Sequence, residues 1–482
     1  MSVAVTYARL RVTDPARWSA AALAWRRWAA LAGVLCGECG PLVERLRAAW
    51  TGAAADAAVA VLSAFRRRLL LFRLLCWRAD QVLSEFAAAL ARARALLDRA
   101  RTAAGTTEPA IDGSGPGAAD LTSALRVAAD ADESAAARLA ELAVVPVAPS
   151  GTGRPDCTAT PARVRQWWDG LSPAERMWLL AAEPGTVAGL DGIPVADRDL
   201  ANRLLLADKR DYLRRTGGDA GELRGLDRLA ARLEDDKGPR AYLMGLDIAG
   251  DGRAVVALGD PDRAANVLTH VPGMTADLAS LGGELTRAER VAARATELGP
   301  RAATSAVLWL DYDAPDFLHE AWSARQAEDA AAGLRRFQEG LRATHDGPAA
   351  RQTVLGHSYG SLVVGKAATG ALDADRVVFV GSPGVGVDSA AGLRLPADRI
   401  FASTSASDPI QWLAVSPGSA LPGPLPKMPG PSDDLWFGHD PSDPAFGARV
   451  FRSQRDGGHL GYWDRGKPAL DSLAAIALGG TP

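Results

Sequence analysis

Ser358 lies in the sequence GHSYG, which has the G-x-S-x-G spacing of a nucleophile elbow. In such a motif the two glycines allow a sharp turn that presents a serine hydroxyl between a strand and a helix. The flanking residues fit this context, because Arg351–Leu355 is a short apolar run and Tyr359–Gly370 can continue as a helix. We therefore interpret Ser358 as a candidate nucleophile for acyl chemistry.

An overlapping stretch, GSLVVGKA from Gly360 to Ala367, has the glycine spacing of a phosphate-binding loop, with Lys366 at the expected place. Ala367, however, stands where a serine or threonine would bind magnesium. If a helix begins at Tyr359, most amides of this stretch are also occupied by helical hydrogen bonds. We therefore interpret Lys366 as a helix residue and predict no nucleotide at this position.

A serine hydroxyl becomes a nucleophile when an imidazole takes its proton, and a carboxylate must orient that imidazole. Asp408 and His459 follow Ser358 in the order Ser, Asp, His, and each comes shortly after an apolar strand run. We predict these three residues as a catalytic triad. The alternatives are His439 for the base and Asp388 or Asp434 for the acid. The remaining histidines, which fit structural roles better, are His270, His319, His345 and His357.

Acyl transfer also needs two backbone N–H groups that stabilise the oxyanion of the tetrahedral intermediate. The residue after the nucleophile, Tyr359, supplies one, and the loop after the third strand supplies the other. That loop reads HVPGM from His270 to Met274, where Gly273 lets the backbone turn tightly and Met274 carries the next amide. We predict Tyr359, Met274 and Gly273 as the oxyanion hole; the alternative is an ordinary Pro-Gly turn.

The segment Gln411–Phe446, between the predicted acid and base, is rich in proline and partly apolar. Long irregular segments beside an active site commonly line a substrate pocket or form a lid. We expect this segment to line an acyl pocket or to act as a lid; the alternative is a surface insertion without function. Its large apolar residues are Trp412, Leu421, Met428, Trp436, Phe437 and Phe446.

The second half of the chain alternates strand-like apolar runs with helical patterns. The first two runs flank the turn sequence DIAGDGR and predict an antiparallel hairpin. The later alternation predicts a doubly wound, mostly parallel sheet, in which active groups gather beyond the carboxyl ends of the strands. The predicted strands are Ala241–Leu246, Ala254–Leu258, Asn266–Val271, Ala306–Leu310, Thr353–Gly356, Arg376–Val380, Arg399–Ser403 and Arg449–Arg452.

The first half of the chain is predicted to be helical. One pattern runs from Asp14-Pro15 to about Ala49, and a second runs from Ala53 to Ala104 without glycine or proline. The intervening Trp50-Thr-Gly52 predicts a turn, with Trp50 packing the end of a helical hairpin and Gly52 permitting the reversal. We predict an all-α hairpin over 1–110, a linker with one helix over 111–159, a helical subdomain over 160–240 and a catalytic core over 241–482.

The bulk properties of the 482-residue chain exclude several classes of protein. A net charge of −3 gives no general attraction to nucleic acid, and no apolar run is long enough to cross a bilayer. Four cysteines are too few for a disulfide scaffold, and Cys36-Gly-Glu-Cys39 lacks the second pair that a zinc site needs. We expect a soluble enzyme without metal or cofactor, cytoplasmic unless a specialised route exports it without a cleaved signal peptide.

The helical hairpin, with Trp50 and Gly52 in its turn, resembles the small WXG-type helical proteins of Gram-positive specialised secretion. Only these two residues match, and the Tyr-x-x-x-acidic signal of that family does not follow the second helix. The resemblance implies a protein partner for the hairpin.

From about Val164 to its end, the chain resembles the actinobacterial α/β-hydrolases of unknown function. The resemblance implies the α/β-hydrolase fold with a serine nucleophile and says nothing about the substrate. Within the segments GLDGIP and DLANR and beside them, Asp191, Arg198 and Asn202 are candidates to tie the helical subdomain to the rim of the site; the alternative is a purely structural salt bridge or cap. The matching segments are Trp167-Trp168, Leu171-Ser172, Gly189–Pro194, Arg198-Asp199, Ala201–Arg203, Val271–Gly273, Trp309–Pro315 and Gly356–Ser361.

Three functions remain open at this point. The first is a serine hydrolase that cleaves a small-molecule ester or related acyl bond through an acyl-enzyme on Ser358. The second uses the same machinery as an acyltransferase or thioesterase. In the third, the hairpin is an interaction or secretion module and the hydrolase domain is inactive.

Overall fold

A long helical region precedes a sheet with helices on both faces. The computed structural model describes residues 3–105, 114–150, 153–156, 158–250, 252–317, 320–414 and 434–482. The helices before the sheet are α1 (Val3–Val12), α2 (Pro15–Ala49), α3 (Ala53–Ala104), α4 (Ala118–Ala140), α5 (Pro161–Gly170), α6 (Pro173–Ala182), α7 (Pro184–Ala188), α8 (Val195–Thr216) and α9 (Ala220–Glu234).

Eight strands form one sheet in the order β1-β2-β4-β3-β5-β6-β7-β10. The β1/β2 and β2/β4 pairs are antiparallel and the other neighbours are parallel, which confirms the predicted doubly wound sheet. These strands are β1 (Ala241–Asp247), β2 (Arg253–Leu258), β3 (Asn266–Val271), β4 (Thr304–Leu310), β5 (Arg351–His357), β6 (Arg376–Val380), β7 (Ile400–Ser403) and β10 (Arg449–Val450). A separate short hairpin consists of β8 (Asp434–Leu435) and β9 (Gly438–His439).

Consecutive strand residues face opposite sides of the sheet, so the apolar strands present an apolar surface on each face. Helices cover both of these faces. Val354 and Val377 belong to a core with α11 and α12, whereas Leu355 and Val378 belong to a core with α10 and α14. The strands are therefore buried on both sides, as parallel sheets require. The helices of this half are α10 (Leu281–Leu298), α11 (Arg325–Thr344), α12 (Tyr359–Ala368), α13 (Ile410–Leu413) and α14 (Pro468–Ala477).

Helices α2 and α3 form the predicted hairpin. The Asp14 side chain accepts a hydrogen bond from the Ala16 N–H and Pro15 occupies the first turn, which explains where α2 begins. The chain reverses at Gly52, whose φ of +102° favours glycine. Trp50 is 49% exposed, so the expectation that it packs the hairpin end is wrong. It lies beyond the last helical turn in an extended conformation and is not part of the stripe that packs on α3.

The hairpin shares a hydrophobic core with the helices that precede the sheet. Leu74 and Trp77 of α3 are buried in one apolar cluster with Val164 and Trp168 of α5 and with Leu200 of α8. Burial of such large apolar side chains contributes roughly 1.5–3 kcal/mol for each. The hairpin is therefore packed firmly onto the rest of the chain.

The hairpin attaches at the edge of the sheet where the parallel strands begin. The Glu85 carboxylate of α3 accepts hydrogen bonds from the Tyr242 hydroxyl and from Arg138. Tyr242 is the second residue of β1, and its neighbour Ala241 is paired with Leu258 at the end of the antiparallel β2. These contacts hold α3 at the edge opposite to the carboxyl ends of the parallel strands.

A buried ion cluster adds a second link between the hairpin and the sheet. Asp80 of α3 lies 3.0 Å from a guanidinium nitrogen of Arg26 and 2.5 Å from one of Arg240. Burial opposes ionisation of Asp80, but Arg240 and Arg26 outweigh it and hold the pKa of this carboxyl below its usual range. Asp80 is therefore a carboxylate shared by two buried arginines. Arg26 also lies 4.0 Å from Glu234, and Arg240 lies 3.8 Å from Asp199.

Replacement of Asp80 by asparagine is expected to lower the free energy of unfolding by about 3 kcal/mol, because two buried guanidinium groups lose their nearest counter-charge. Urea unfolding followed by circular dichroism measures the difference. Asp98→Asn is the matched control, since Asp98 forms an exposed pair with Arg101 at 3.8 Å and should change stability by less than about 1 kcal/mol. Equal unfolding midpoints for Asp80→Asn and wild type would contradict this role.

No helix in the described ranges is both long enough and apolar enough to cross a membrane. Cys36 and Cys39 lie buried in α2 and both are free thiols.

Candidate active site

Ser358 occupies the turn between β5 and α12, with a φ of 52° and a ψ of −129°. A positive φ is costly for a residue with a side chain and is typical of strained functional turns. The Ser358 N–H donates to the Val380 carbonyl of the neighbouring strand at 3.0 Å, which ties the turn to β6. Ser358 therefore has the backbone geometry that the motif predicts.

The two glycines of the motif allow close backbone contacts. A Cβ at Gly356 would lie 2.6 Å from the Ser361 Cα, and a Cβ at Gly360 would lie 2.3 Å from the Val271 carbonyl oxygen. Neither separation is tolerated between real atoms, so both positions require glycine.

The overlapping phosphate-loop pattern falls on the helix α12. Lys366 forms an ion pair with Glu328 of α11 at 2.8 Å. Gly365 is small because a Cβ there would lie 2.0 Å from the Val385 carbonyl oxygen. Both residues thus have packing roles, as expected for helix residues.

Asp408 and His459 are hydrogen-bonded to each other. The His459 Nδ1 lies 2.8 Å from one carboxylate oxygen of Asp408 and 3.0 Å from the other. Asp408 is fully buried, which opposes its ionisation, but the contact with His459 and a hydrogen bond from Tyr462 outweigh burial and hold the pKa of Asp408 below its usual range. Asp408 is therefore suited to orient the imidazole as a carboxylate.

Ser358 and the Asp408/His459 pair both lie at the carboxyl end of β6. A Cβ at Gly381 would lie 2.7 Å from the Asp408 Oδ2 and 3.2 Å from the His459 Nδ1, while the preceding residue, Val380, accepts the Ser358 N–H. Within the described part of the chain, the Ser358 hydroxyl forms no hydrogen bond. Catalytic hydrogen bonds are often long in the absence of substrate and tighten when it binds.

The predicted oxyanion donors lie on two sides of Ser358. Tyr359 is the first residue of α12, so its N–H has no helical acceptor. Among the residues that the structure describes, neither the Tyr359 N–H nor the Met274 N–H donates to another group. Gly273 lies directly against Ser358, because a Cβ there would be 2.6 Å from the Ser358 Cβ and 3.1 Å from its Oγ.

Comparison with known proteins places this geometry in a family. A family model described as alpha/beta hydrolase matches residues 247–416. Uncharacterized proteins of Mycobacterium tuberculosis strains CDC 1551 and H37Rv are each 31% identical over 389 residues, which is 70% of this chain and 57% of theirs. An uncharacterized protein of Mycobacterium bovis is 35% identical over 180 residues, which is 35% of this chain and 68% of its own length.

This chain belongs to the actinobacterial alpha/beta hydrolases. The region that matches the family model includes Ser358 and Asp408, whereas His459 lies beyond it. The chain spans 57% of the length of the two Mycobacterium tuberculosis relatives.

Gly273 of this alpha/beta hydrolase lies beside Ser358, and its surroundings show why glycine is needed there. It does not have a positive φ; the left-handed residue of the loop is Thr275, with a φ of 63°. The structure therefore explains this glycine by its close approach to Ser358, where a Cβ would collide, and not by a left-handed backbone.

Gly273→Ala is expected to lower kcat/KM for an activated ester by about 10²-fold, because the added methyl group must displace the Ser358 side chain. Neighbouring atoms can shift to accommodate the methyl group, so the free energy of unfolding should fall by only about 1–3 kcal/mol. The thermal midpoint should then fall by a few degrees. Steady-state kinetics and thermal unfolding measure the two effects. Gly282→Ala, at an open helical position in α10, is the control. A fully active Gly273→Ala would rule out this contact.

The Asp408/His459 pair is supported by Tyr462, which the sequence pattern did not single out, and by His357, for which a structural role was expected. The Tyr462 hydroxyl donates to Asp408 at 2.6 Å and accepts the Ser405 N–H at 3.0 Å. The His357 Nε2 lies 2.9 Å from the His459 carbonyl oxygen. Burial, with His459 nearby, lowers the pKa of His357 to about 3, so the ring is neutral at neutral pH and its Nε2 carries the donated proton.

His270, the histidine at the end of β3, also has a structural partner. Its Nε2 lies 3.0 Å from the Glu284 carboxylate of α10. Burial opposes ionisation of Glu284, but the contacts with His270 and Arg287 outweigh it and lower its pKa to about 2. This pair ties α10 to the strand that precedes the Met274 loop.

The alternative acid and base lie elsewhere. The His439 ring nitrogens lie 3.6 Å from an Asp434 carboxylate oxygen and 3.3 Å from one of Asp443, in and beside the β8/β9 hairpin. Asp388 lies against that hairpin at Gly438. His345 contacts the Ala264 carbonyl oxygen at the opposite edge of the sheet, and His319 lies outside the described residues.

The segment Gln411–Phe446 is described only at its two ends, and Leu421 and Met428 lie outside the described residues. Its Trp436 N–H donates to the Ala414 carbonyl at 2.7 Å, which joins the two ends. The Phe437 ring lies 6.2 Å from the Tyr359 ring, edge to face. The described ends therefore border the candidate site.

Asp191 and Arg198 link α8 to α11, whereas Asn202 bonds within α8 itself. Arg198 donates to Asp191 at 2.7 Å, Asn202 donates to the Arg198 carbonyl at 3.0 Å, and Arg336 of α11 lies 3.6 Å from Asp191. These contacts do not include Ser358 in the described structure.

Proposed function

We propose that this protein is a serine hydrolase that cleaves an ester of a small molecule through an acyl-enzyme on Ser358. The observation that carries the proposal is that a strained Ser358 and the hydrogen-bonded Asp408/His459 pair both lie at the end of β6. Strain of this kind persists only where the surrounding structure holds it in place.

In the proposed reaction, the Ser358 Oγ attacks the ester carbonyl carbon and its proton moves to the His459 Nε2. Asp408 accepts a hydrogen bond from the Nδ1–H and stabilises the imidazolium that forms. The N–H groups of Tyr359 and Met274 donate to the oxyanion. The intermediate then expels the alcohol, which takes the proton from His459.

A water molecule completes the reaction. It attacks the acyl carbon while His459 removes its proton, and the second tetrahedral intermediate releases the carboxylic acid and restores the Ser358 hydroxyl. If an alcohol or amine accepted the acyl group in place of water, the same residues would catalyse acyl transfer. If the substrate were a thioester in place of an ester, they would catalyse thioester cleavage. Hydrolysis is proposed because its acyl acceptor is water, whereas acyl transfer needs a second substrate.

The proposal is tested by covalent labelling. A fluorophosphonate probe should react with the folded protein, and p-nitrophenyl acetate should be hydrolysed with a burst of p-nitrophenol. Mass spectrometry of the labelled protein should place the phosphonate on the peptide that contains Ser358. A folded protein that neither reacts with the probe nor hydrolyses the ester would overturn the proposal.

A further inference from the structure

Large apolar side chains are exposed beside the candidate active site. Trp322 is 61% exposed, Trp412 is 40% exposed, and Leu413 and Leu460 are each 55% exposed. Single exposed apolar residues are common, but a group of them around one site marks a surface that binds an apolar partner.

Each of these residues is adjacent in the chain to a part of the site. Trp322 precedes Ser323, whose carbonyl oxygen accepts a hydrogen bond from the Tyr359 hydroxyl at 2.6 Å. Trp412 and Leu413 lie in α13, which starts two residues after Asp408, and Leu460 follows His459 directly. Three separate loops thus bring apolar side chains to the same edge of the sheet; we call Trp322, Trp412, Leu413 and Leu460 the apolar rim.

A row of aromatic contacts connects the rim to the nucleophile. The Tyr359 ring packs edge to face on Phe437, with ring centres 6.2 Å apart. Phe437 lies 6.4 Å from Trp436, and Trp436 lies 5.9 Å from Trp322. These edge-to-face pairs form an apolar path from the residue after Ser358 to the exposed Trp322.

The charges of the rim favour an uncharged ligand. The stretch from Asp311 to Arg325 carries four acidic residues and one arginine, Arg325, and neither Pro409–Ala414 nor Leu460–Trp463 contains a charged residue. A negatively charged ligand would be repelled by the loop that carries Trp322. The four acidic residues are Asp311, Asp313, Asp316 and Glu320.

We propose that the apolar rim binds the acyl chain of the substrate, and that the substrate is an uncharged ester of a medium- or long-chain fatty acid. This proposal rests on the proposed function, since it assigns the substrate class of the same site. The carbonyl lies at Ser358, and the chain extends over Phe437 and Trp436 toward Trp322. A macromolecular partner would cover the nucleophile, whereas an acyl chain uses the rim and leaves the ester at Ser358.

The first test is a chain-length series of p-nitrophenyl acetate, butyrate, octanoate and dodecanoate. Each buried methylene group contributes up to about fourfold, so kcat/KM for octanoate should exceed that for acetate by about tenfold or more. The variants Trp322→Ser and Trp412→Ser should each lower the octanoate-to-acetate ratio by about tenfold. Tyr212→Ser removes a side chain that is 53% exposed on α8, outside the rim, and should keep the wild-type ratio.

A second comparison tests the charge argument. The p-nitrophenyl half-ester of sebacic acid has the chain length of the decanoate ester but ends in a carboxylate. Its kcat/KM should be about tenfold or more below that of decanoate, because the carboxylate must leave water beside an acidic loop. Equal values for the two esters would contradict an apolar rim.

The source of the chain is distinguished by substrate concentration. If the hydrolysis rate saturates while p-nitrophenyl dodecanoate is still dispersed, the natural substrate is a single dissolved ester molecule. If the rate rises steeply only when the ester aggregates, the natural substrate is an ester in a lipid surface. Failure of this inference differs from failure of the proposed function. Probe labelling and acetate hydrolysis with no chain-length preference would overturn the apolar rim alone, whereas no labelling and no hydrolysis would overturn both.

Discussion

Ser358→Ala is expected to abolish fluorophosphonate labelling and to lower kcat for an activated ester by at least about 10⁴-fold. The variant removes the atom that forms the acyl-enzyme, and the residual rate comes only from binding and the oxyanion hole. In-gel fluorescence after labelling and the rate of p-nitrophenol release measure the two effects. Alanine keeps the same backbone strain, and the Ser358 hydroxyl forms no hydrogen bond in the described part of the chain, so the substitution should not lower stability by more than about 1 kcal/mol.

Ser361→Ala is the matched control for this experiment. Ser361 lies one turn further along α12, is fully buried, and donates to the Gly356 carbonyl at 3.2 Å. Its replacement costs a structural hydrogen bond, about 1 kcal/mol, but should leave the labelling of Ser358 intact. Labelling of Ser358→Ala at the wild-type rate would show that the probe reacts with another residue and would refute the nucleophile assignment.

Asp408→Asn is expected to lower kcat/KM by about 10⁴-fold with little change in fold. The carboxylate accepts hydrogen bonds from the His459 Nδ1–H, the Tyr462 hydroxyl and the Ile410 N–H. An amide offers one oxygen and one NH₂ group, so one donor must face another donor or His459 must adopt the wrong tautomer. The kinetics of p-nitrophenyl acetate hydrolysis and urea unfolding separate the catalytic loss from any loss of stability.

Tyr462→Phe gives this prediction a pH readout. The phenol helps to hold the pKa of Asp408 below its usual range, so its removal should raise that pKa. Since the carboxylate must be ionised to orient His459, the acidic limb of the kcat/KM profile should move to higher pH in Tyr462→Phe. A purely structural role of Tyr462 would change stability and leave the profile where it is.

Asp434→Asn serves as the control for the acid assignment. Asp434 is the alternative carboxylate and lies 3.6 Å from His439 in the β8/β9 hairpin. Its replacement should leave kcat/KM within about twofold of wild type. A large loss in Asp434→Asn together with a fully active Asp408→Asn would assign the acid to the hairpin instead.

The position of the helical hairpin bears on how the site is reached. The contacts of Glu85 with Tyr242 and of Asp80 with Arg240 hold α3 at the edge where the parallel strands begin. Ser358 lies at the opposite edge, where β5 ends. Through these contacts the hairpin supports the sheet from the side away from the nucleophile.

The sequence was sufficient for the features that depend on local pattern. The eight strand runs and the helices of the hairpin follow from periodicity and from the placement of glycine and proline. The turn at Ser358 follows from the sterics of its two glycines, because close backbone approach at these positions leaves no room for a side chain. The order of Ser358, Asp408 and His459 was also predicted from the sequence, because Ser358 follows β5 directly and Asp408 and His459 come within ten residues after β7 and β10.

Only the tertiary structure decided which distant residues touch. Tyr462 donates to Asp408 across 54 residues of chain, and His357 holds the backbone of His459 across 102. Nothing in the spacing of these residues indicates contact, because the separation between them is set by the helices and loops that intervene. Trp50 shows the reverse case, since its position in the turn suggested burial and the structure exposes it. Side-chain partners across loops depend on how the whole chain packs, and no local pattern encodes that packing.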